Sequence, residues 1–127
     1  MSRRSKFAAA VGVAAALTSA ALAEDSRPLE PIVLSDADLT KVRAGLENGL
    51  KDPESLRLNR VVAGRAENGL VTVCGLANAK NGYGGYTGRR PFIGVMTPKT
   101  MVVISYGQTD DEARHVKIMC ERRGLTL

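Results

Sequence analysis

The stretch LVTVCGLANAKNGYGGYTGRRPF, residues 70–92, sets the architecture that we expect for this chain. Its first nine residues, 70–78, are largely apolar on both alternating faces, which is typical of a central β-strand. A glycine-rich loop without an acidic residue follows, and residues 91–96 read as the next strand. Glycine is used where backbone takes unusual dihedrals or is approached closely. The loop therefore either has a purely structural role, as a tightly packed turn, or presents a surface for recognition.

One further strand is expected on each side of this unit. Residues 55–63 alternate apolar and polar side chains, with Leu56 and Leu58 between Arg57 and Asn59. Residues 100–106, TMVVISY, have strong β character, and a turn at residues 97–99 precedes them. The sequence therefore predicts four consecutive strands joined by short connections.

A helix is expected to begin after Ser35, whose hydroxyl can cap free backbone amides while Asp36 and Asp38 complement the helix dipole. Its apolar stripe consists of Leu39, Val42, Leu46 and Leu50. Pro53 ends it, because the residue before a proline avoids helical dihedrals.

A second helix is expected to begin after Thr109, which has capping-box spacing to Glu112. Gly124 is suited to its C-terminal end. The predicted fold class is α+β with two layers: an N-terminal helix, a four-stranded antiparallel sheet and a C-terminal helix packed on the sheet. Residues 35–127 would form this single domain.

Residues 1–23 are expected to be a cleavable signal peptide. Arg3, Arg4 and Lys6 precede an uncharged apolar run at residues 7–17, and a small-x-small pattern places cleavage between Ala23 and Glu24. A transmembrane helix is the alternative, but the apolar run is short for a full span. General export and twin-arginine export both stay open.

The expected location is periplasmic or secreted, with no stable membrane anchor after cleavage. Residues 24–34, which contain Pro28 and Pro31, are expected to be a flexible leader. The whole chain has 18 Lys+Arg and 13 Asp+Glu, net +5. Without the three cations of the signal it has 15 against 13, net +2, so we expect no nucleic-acid partner.

The two cysteines, Cys74 and Cys120, are expected to form a disulfide. Export into an oxidising compartment favours pairing, and the predicted secondary structure places Cys120 on the helix stripe that faces the strand of Cys74. Two buried thiols or a redox pair are the alternatives, although no Cys-x-x-Cys motif is present.

No motif predicts catalysis, a cofactor or a metal. The single histidine, His115, has Asp111 four residues before it on the same helical side, and a local surface pair explains that spacing. One histidine and two paired cysteines do not make a zinc site. The loop glycines do not fit a dinucleotide or phosphate pattern, and a strand rather than a helix follows them.

Recognition by the loop at residues 78–90 is the function that remains. Tyrosines offer flat contact surface, arginines bind carboxylate or phosphate, and asparagines and lysine add hydrogen bonds. The candidate binding residues are Asn78, Lys80, Asn81, Tyr83, Tyr86, Arg89 and Arg90. A purely structural role is the rival interpretation, because tyrosines can pack on the sheet and asparagines can cap the loop itself.

The chain resembles a group of small exported bacterial proteins of unknown function. The resemblance is carried by the motif VCG-x-x-NAKN-x-x-GGYTG at residues 73–88, by residues 50–55, and by Phe92 and the late Cys120. It implies export and the same compact fold, and it supplies no reaction and no site residues.

These observations favour a non-catalytic binding or accessory module whose partner is a protein or an envelope component. The first alternative is an enzyme acting on envelope polymers, with a carboxylate or His115 as acid and base. The second is a periplasmic inhibitor or immunity-type protein.

Overall fold

The computed structural model describes residue 12 and residues 27–127, so the predicted cleavage site and nearly all of the signal peptide lie outside the described residues. The elements are β1 (Glu30–Ile32), α1 (Asp36–Glu47), β2 (Arg57–Arg65), β3 (Val71–Asn78), β4 (Arg90–Met96), β5 (Met101–Tyr106) and α2 (Asp110–Arg122). A turn of 3₁₀ helix at Pro53–Ser55 precedes β2. The strands form one antiparallel sheet in the order β1-β2-β3-β4-β5, which confirms the α+β class.

The sheet has five strands, not the four that the sequence predicted. The additional strand is β1, and it lies within residues 24–34, which were predicted to be a flexible leader. Glu30 pairs with Arg65 and Ile32 pairs with Ala63. Three residues are too few to show an alternating pattern, and Pro31 argued against a strand. A proline is nevertheless compatible with an edge strand, where its missing N–H costs no ladder bond.

The two helices lie on opposite faces of the sheet, which gives three layers rather than the two predicted. Val73 and Cys74 are neighbours on β3, so their side chains point to opposite faces. Val42 of α1 packs in the core cluster that contains Val73. Val116 of α2 packs in the cluster that contains Cys74. The central strand is consequently apolar on both faces because each face carries a helix.

Both predicted N-terminal caps are present. The Ser35 hydroxyl accepts from the Asp38 amide, and the Asp38 carboxylate accepts from the Ser35 amide. Hydrogen bonds from Ser35 lower the pKa of the Asp38 carboxyl below its ordinary value. Thr109 and Glu112 form the same reciprocal box at α2. The helix α1 ends at Glu47, earlier than the Pro53 boundary predicted.

A glycine makes room for the largest core side chain. A Cβ at Gly75 would meet the Arg60 carbonyl oxygen and would lie 2.5 Å from Phe92 Cζ. The Phe92 ring therefore lies over the bare backbone of β3, where Phe92 is paired with Gly75. This packing fixes β3 and β4 against each other next to the loop that joins them.

The predicted disulfide between Cys74 and Cys120 is present, with a Cα–Cα distance of 6.1 Å. Both cysteines are fully buried. The bridge joins β3 to α2 across 46 residues of sequence. The helix ends just after it, where Gly124 has a φ of +76° and the Leu125 N–H donates to the Cys120 carbonyl at 2.9 Å. Gly124 therefore fulfils the C-terminal role predicted for it.

Candidate functional site

The loop between β3 and β4 is an ordered hairpin, which we define as residues 78–90. Lys80 and Tyr86 form an isolated antiparallel bridge that continues the strand pair. The tip is closed by a bond from the Asn81 amide to the Gly85 carbonyl at 2.8 Å and by one from the Gly84 amide to the Asn81 carbonyl at 3.1 Å. Gly84 has a φ of +82°, a conformation that glycine adopts without strain. The hairpin is thus held by its own backbone.

The two asparagine side chains of the hairpin satisfy its backbone. Asn81 Oδ1 accepts from the Tyr83 amide at 2.9 Å and from the Gly85 amide at 3.2 Å. Asn78 Oδ1 accepts from the Gly88 amide at 3.1 Å. The oxygens of both predicted binding asparagines are therefore engaged in shaping the loop, as an Asx turn does.

Tyr86 anchors the hairpin to the segment before β2. Its hydroxyl donates to the Ser55 carbonyl at 3.2 Å. The guanidinium of Arg57 lies 4.4 Å from the ring centroid, and the Lys80 amine lies 5.6 Å from it. Both distances are within the range of cation–π attraction. The Lys80 amide also donates to Ser55 Oγ at 2.8 Å, so the 3₁₀ turn braces the hairpin base.

Arg57 also contributes to this site, although it is not among the candidate binding residues that the sequence predicted. It lies in β2, more than 20 residues before the loop, and its alternation with apolar neighbours marked it only as a solvent-facing position. Its contact with Tyr86 arises because β2 begins beside the end of β3, where Arg57 pairs with Asn78. Only the register of the sheet brings these side chains together.

The Arg90 side chain forms an ion pair with α2 and contributes little to the exposed surface of the hairpin. Its Nη1 lies 2.9 Å from Asp110 Oδ1, at the first residue of α2. The Arg90 side chain is largely covered, whereas that of Asp110 is exposed. This ion pair joins the start of β4 to the start of α2, which is a structural role.

Four candidate residues of the hairpin are exposed: Asn81, Tyr83, Tyr86 and Arg89. Asn81 and Tyr86 use their side chains in hydrogen bonds that hold the loop, which leaves Tyr83 and Arg89 for contact from solvent. The Tyr83 side chain is 98% exposed at the tip, and Arg89 is exposed near the base. Among residues 27–127, neither side chain makes a hydrogen bond or a salt bridge. An exposed phenol on a hydrogen-bonded loop is available for contact at little cost in ordering.

The electrostatic character of the hairpin is positive. Arg57, Lys80 and Arg89 have no carboxylate within 4.0 Å in the described part of the chain. The hairpin itself contains no acidic residue. An anionic surface is therefore the electrostatic complement of this site.

The single histidine, His115, lies on a solvent-exposed part of α2. Asp111 lies 3.4 Å from Arg114 in a salt bridge. Thr72 is the buried polar residue of the described part of the chain, which contains no buried carboxylate. Nor do residues 27–127 hold a group of three histidine, cysteine or carboxylate side chains suited to a metal.

A third tyrosine, Tyr106, lies half-buried at the end of β5, beside the start of the hairpin. Its hydroxyl donates to the Ala77 carbonyl at 3.5 Å. Burial raises the pKa of the Tyr106 phenol above its ordinary value, and the positive charge of Arg90 opposes that shift. Tyr106 thus serves the core, in contrast to Tyr83.

In the described residues, neither helix combines the length and the apolar character that crossing a membrane requires. Comparison of the chain with models of protein families, with curated proteins and with solved structures gave no match.

Proposed function

We propose that this protein is an exported, non-catalytic binding or accessory module that contacts a protein or an envelope component through its hairpin. The observation that carries the proposal is the Tyr83 side chain, 98% exposed on a tip whose backbone is closed by hydrogen bonds. A tyrosine offers a large, rigid contact surface with a polar end, and aromatic side chains of this kind are frequent anchors of protein interfaces.

The rigidity of the hairpin supports this proposal. Asn78, Asn81 and Tyr86 hold the loop in one conformation before any partner arrives. Binding then loses little conformational entropy, because the backbone is already ordered. In this proposal only Tyr83 and Arg89 contact the partner. The other candidate binding residues hold these two in position.

The positive charge of the site supports an acidic partner surface. Arg89 carries a planar guanidinium that can bind a carboxylate through two hydrogen bonds. Arg57 and Lys80, on the ring of Tyr86, add positive charge at the hairpin base. An acidic patch on an envelope protein satisfies both the charge and the aromatic contact.

Export is part of the proposal, supported by the signal-like residues 1–23 and by the buried disulfide. Disulfides persist mainly in oxidising compartments. An inhibitor or immunity-type protein is a special case of such a binding module. No contact in the described residues favours the enzyme alternative.

Photocrosslinking from the tip tests the proposal. A photoreactive amino acid replaces Tyr83 in one variant and Lys117, exposed on α2, in a matched control, and both are irradiated in cells that export the protein. We expect a discrete covalent adduct from position 83 and none of the same mass from position 117. Adding Arg89→Glu to the first variant should reduce the adduct.

Two results overturn the proposal. One is the same adduct from both positions, which indicates non-specific proximity. The other is no adduct from position 83 in protein that is exported and folded, with its disulfide formed.

A further inference from the structure

The outer edge of β2 is open along most of its length. The short strand β1 pairs only with residues 63–65 of β2. Residues 57–62 have β3 on one side and, within residues 27–127, no strand on the other. An unpaired strand edge presents backbone N–H and C=O groups that can pair with another extended chain.

This edge forms the floor of a groove, which we call the β2 edge groove. Leu39, Thr40 and Arg43 of α1 form one wall, and residues 58–61 of β2 form the floor, around a depression of about 450 Å³. A second depression of about 450 Å³ adjoins it between β1 and the C-terminal segment. Leu39, Arg60 and Val61 line both, so the groove continues from the end of β1 along β2.

The groove combines an apolar floor with positive charge at its rim. Leu39, Leu58 and Val61 supply the apolar surface. Arg60 Nε and Nη2 each donate to the Thr126 carbonyl at 3.2 Å. That acceptor is neutral, and within residues 27–127 no carboxylate lies within 4.0 Å of the guanidinium. Arg43 Nη1 donates to the Leu56 carbonyl at 3.0 Å, and Glu47 lies 3.8 Å from it.

The opposite edge of the sheet is contacted by other parts of the chain at both ends of β5. A Cβ at Gly45 would meet the Met101 carbonyl oxygen, so α1 packs closely on β5 there. The Tyr106 carbonyl accepts from the Gln108 amide at 2.9 Å. Register irregularities occur near both edges, between Leu58 and Arg60 in β2 and between Ile93 and Gly94 in β4. We place strand addition at β2 because the groove borders that edge.

We propose that the β2 edge groove binds an extended peptide segment that carries carboxylate side chains. The segment continues the line of β1 and pairs its backbone with residues 58–62 of β2. Alternate apolar side chains lie on Leu39 and Val61, while the acidic side chains between them point to the opposite face of the sheet, toward Arg60. Backbone pairing supplies affinity in this mode of recognition, and the side-chain pockets supply specificity. The site is separate from the hairpin tip.

The probe for this site is a labelled seven-residue peptide of alternating valine and aspartate, acetylated and amidated at its ends. We expect it to shift the amide NMR signals of residues 58–62 and of α1, and to leave those of residues 81–85 unchanged. A peptide with lysine in place of aspartate should bind at least about tenfold more weakly, since it loses charge-assisted hydrogen bonds.

Two variants separate groove binding from general charge attraction. Arg60→Glu should weaken binding of the acidic peptide at least about tenfold, and Thr40→Glu on the α1 wall should also weaken it. Arg122→Glu, at an exposed position of α2, makes the same charge change and should leave the affinity unchanged. Equal affinity for the acidic and basic peptides overturns the proposal, as do shifts centred on the hairpin or equal effects of Arg60→Glu and Arg122→Glu.

Discussion

The strand pair β3–β4 is hydrogen-bonded both at its core end and in the hairpin at its free end, but it uses its side chains differently at the two ends. At the core end, Cys74 is bonded to α2 and Phe92 lies over Gly75. At the free end, Tyr83 and Arg89 face solvent, although the backbone around them is also hydrogen-bonded. The two ends differ in the exposure of their side chains: Cys74 and Phe92 are buried in the core, whereas Tyr83 and Arg89 are exposed.

The largest expected effect lies at the core end, in the disulfide. Replacing both cysteines, Cys74→Ala with Cys120→Ala, should lower the free energy of unfolding by about 4 kcal/mol, because the bridge closes a long loop and so restricts the unfolded chain. Urea unfolding of the oxidised protein and of the double variant measures this difference. A loss below about 1 kcal/mol would show that the core end does not depend on the bridge.

The next effect concerns the packing of β3 under Phe92. Gly75→Ala should lower the free energy of unfolding by about 1–3 kcal/mol, because the added methyl collides with the Phe92 ring and with backbone. Gly82→Ala is the matched control at the free end, where a Cβ would meet nothing within 4 Å. Equal stability of the two variants would remove the contrast between the ends.

A smaller effect is expected at Asn81, which shapes the tip without touching the core. Asn81→Ala should cost about 1 kcal/mol and accelerate hydrogen exchange at the amides of Tyr83 and Gly85, because both lose their acceptor. Asn81→Asp keeps an acceptor oxygen at the same place and should retain slow exchange. Unchanged exchange in Asn81→Ala would show that the backbone bonds alone hold the tip.

Much of the fold could be predicted because its signals are local. The boxes at Ser35 and Thr109 depend on residues three positions apart, and the apolar character of residues 70–78 identified the central strand that both helices cover. The strand β1 was missed because Glu30–Ile32 is short and contains a proline. Its pairing with β2 is a tertiary contact that local pattern does not encode.

The sequence predicted which segment forms the candidate site, but not which of its side chains hold the fold together and which are exposed. Composition marks an asparagine as polar, but it does not say whether the amide faces its own backbone, as it does at Asn81, or a partner. Arg57 was missed because its contact with Tyr86 depends on the register of β2 against β3. Arg90 was included, although its partner Asp110 lies 20 residues away.

The smallest expected effect on stability is at Tyr83, the residue that we propose contacts the partner. Tyr83→Ala should change the free energy of unfolding by less than about 0.5 kcal/mol, because the side chain is 98% exposed and contacts no core residue. Tyr83→Phe is the matched control, since it keeps the ring and removes only the hydroxyl.

The decisive measurement is the affinity of Tyr83→Ala for the partner that crosslinking identifies, determined together with its stability. Loss of a central aromatic contact should weaken binding by about thirtyfold or more while the free energy of unfolding stays within about 0.5 kcal/mol of the parent. Tyr83→Phe should retain most of the affinity. Full affinity in Tyr83→Ala, at unchanged stability, would contradict the assignment of the hairpin tip as the contact surface.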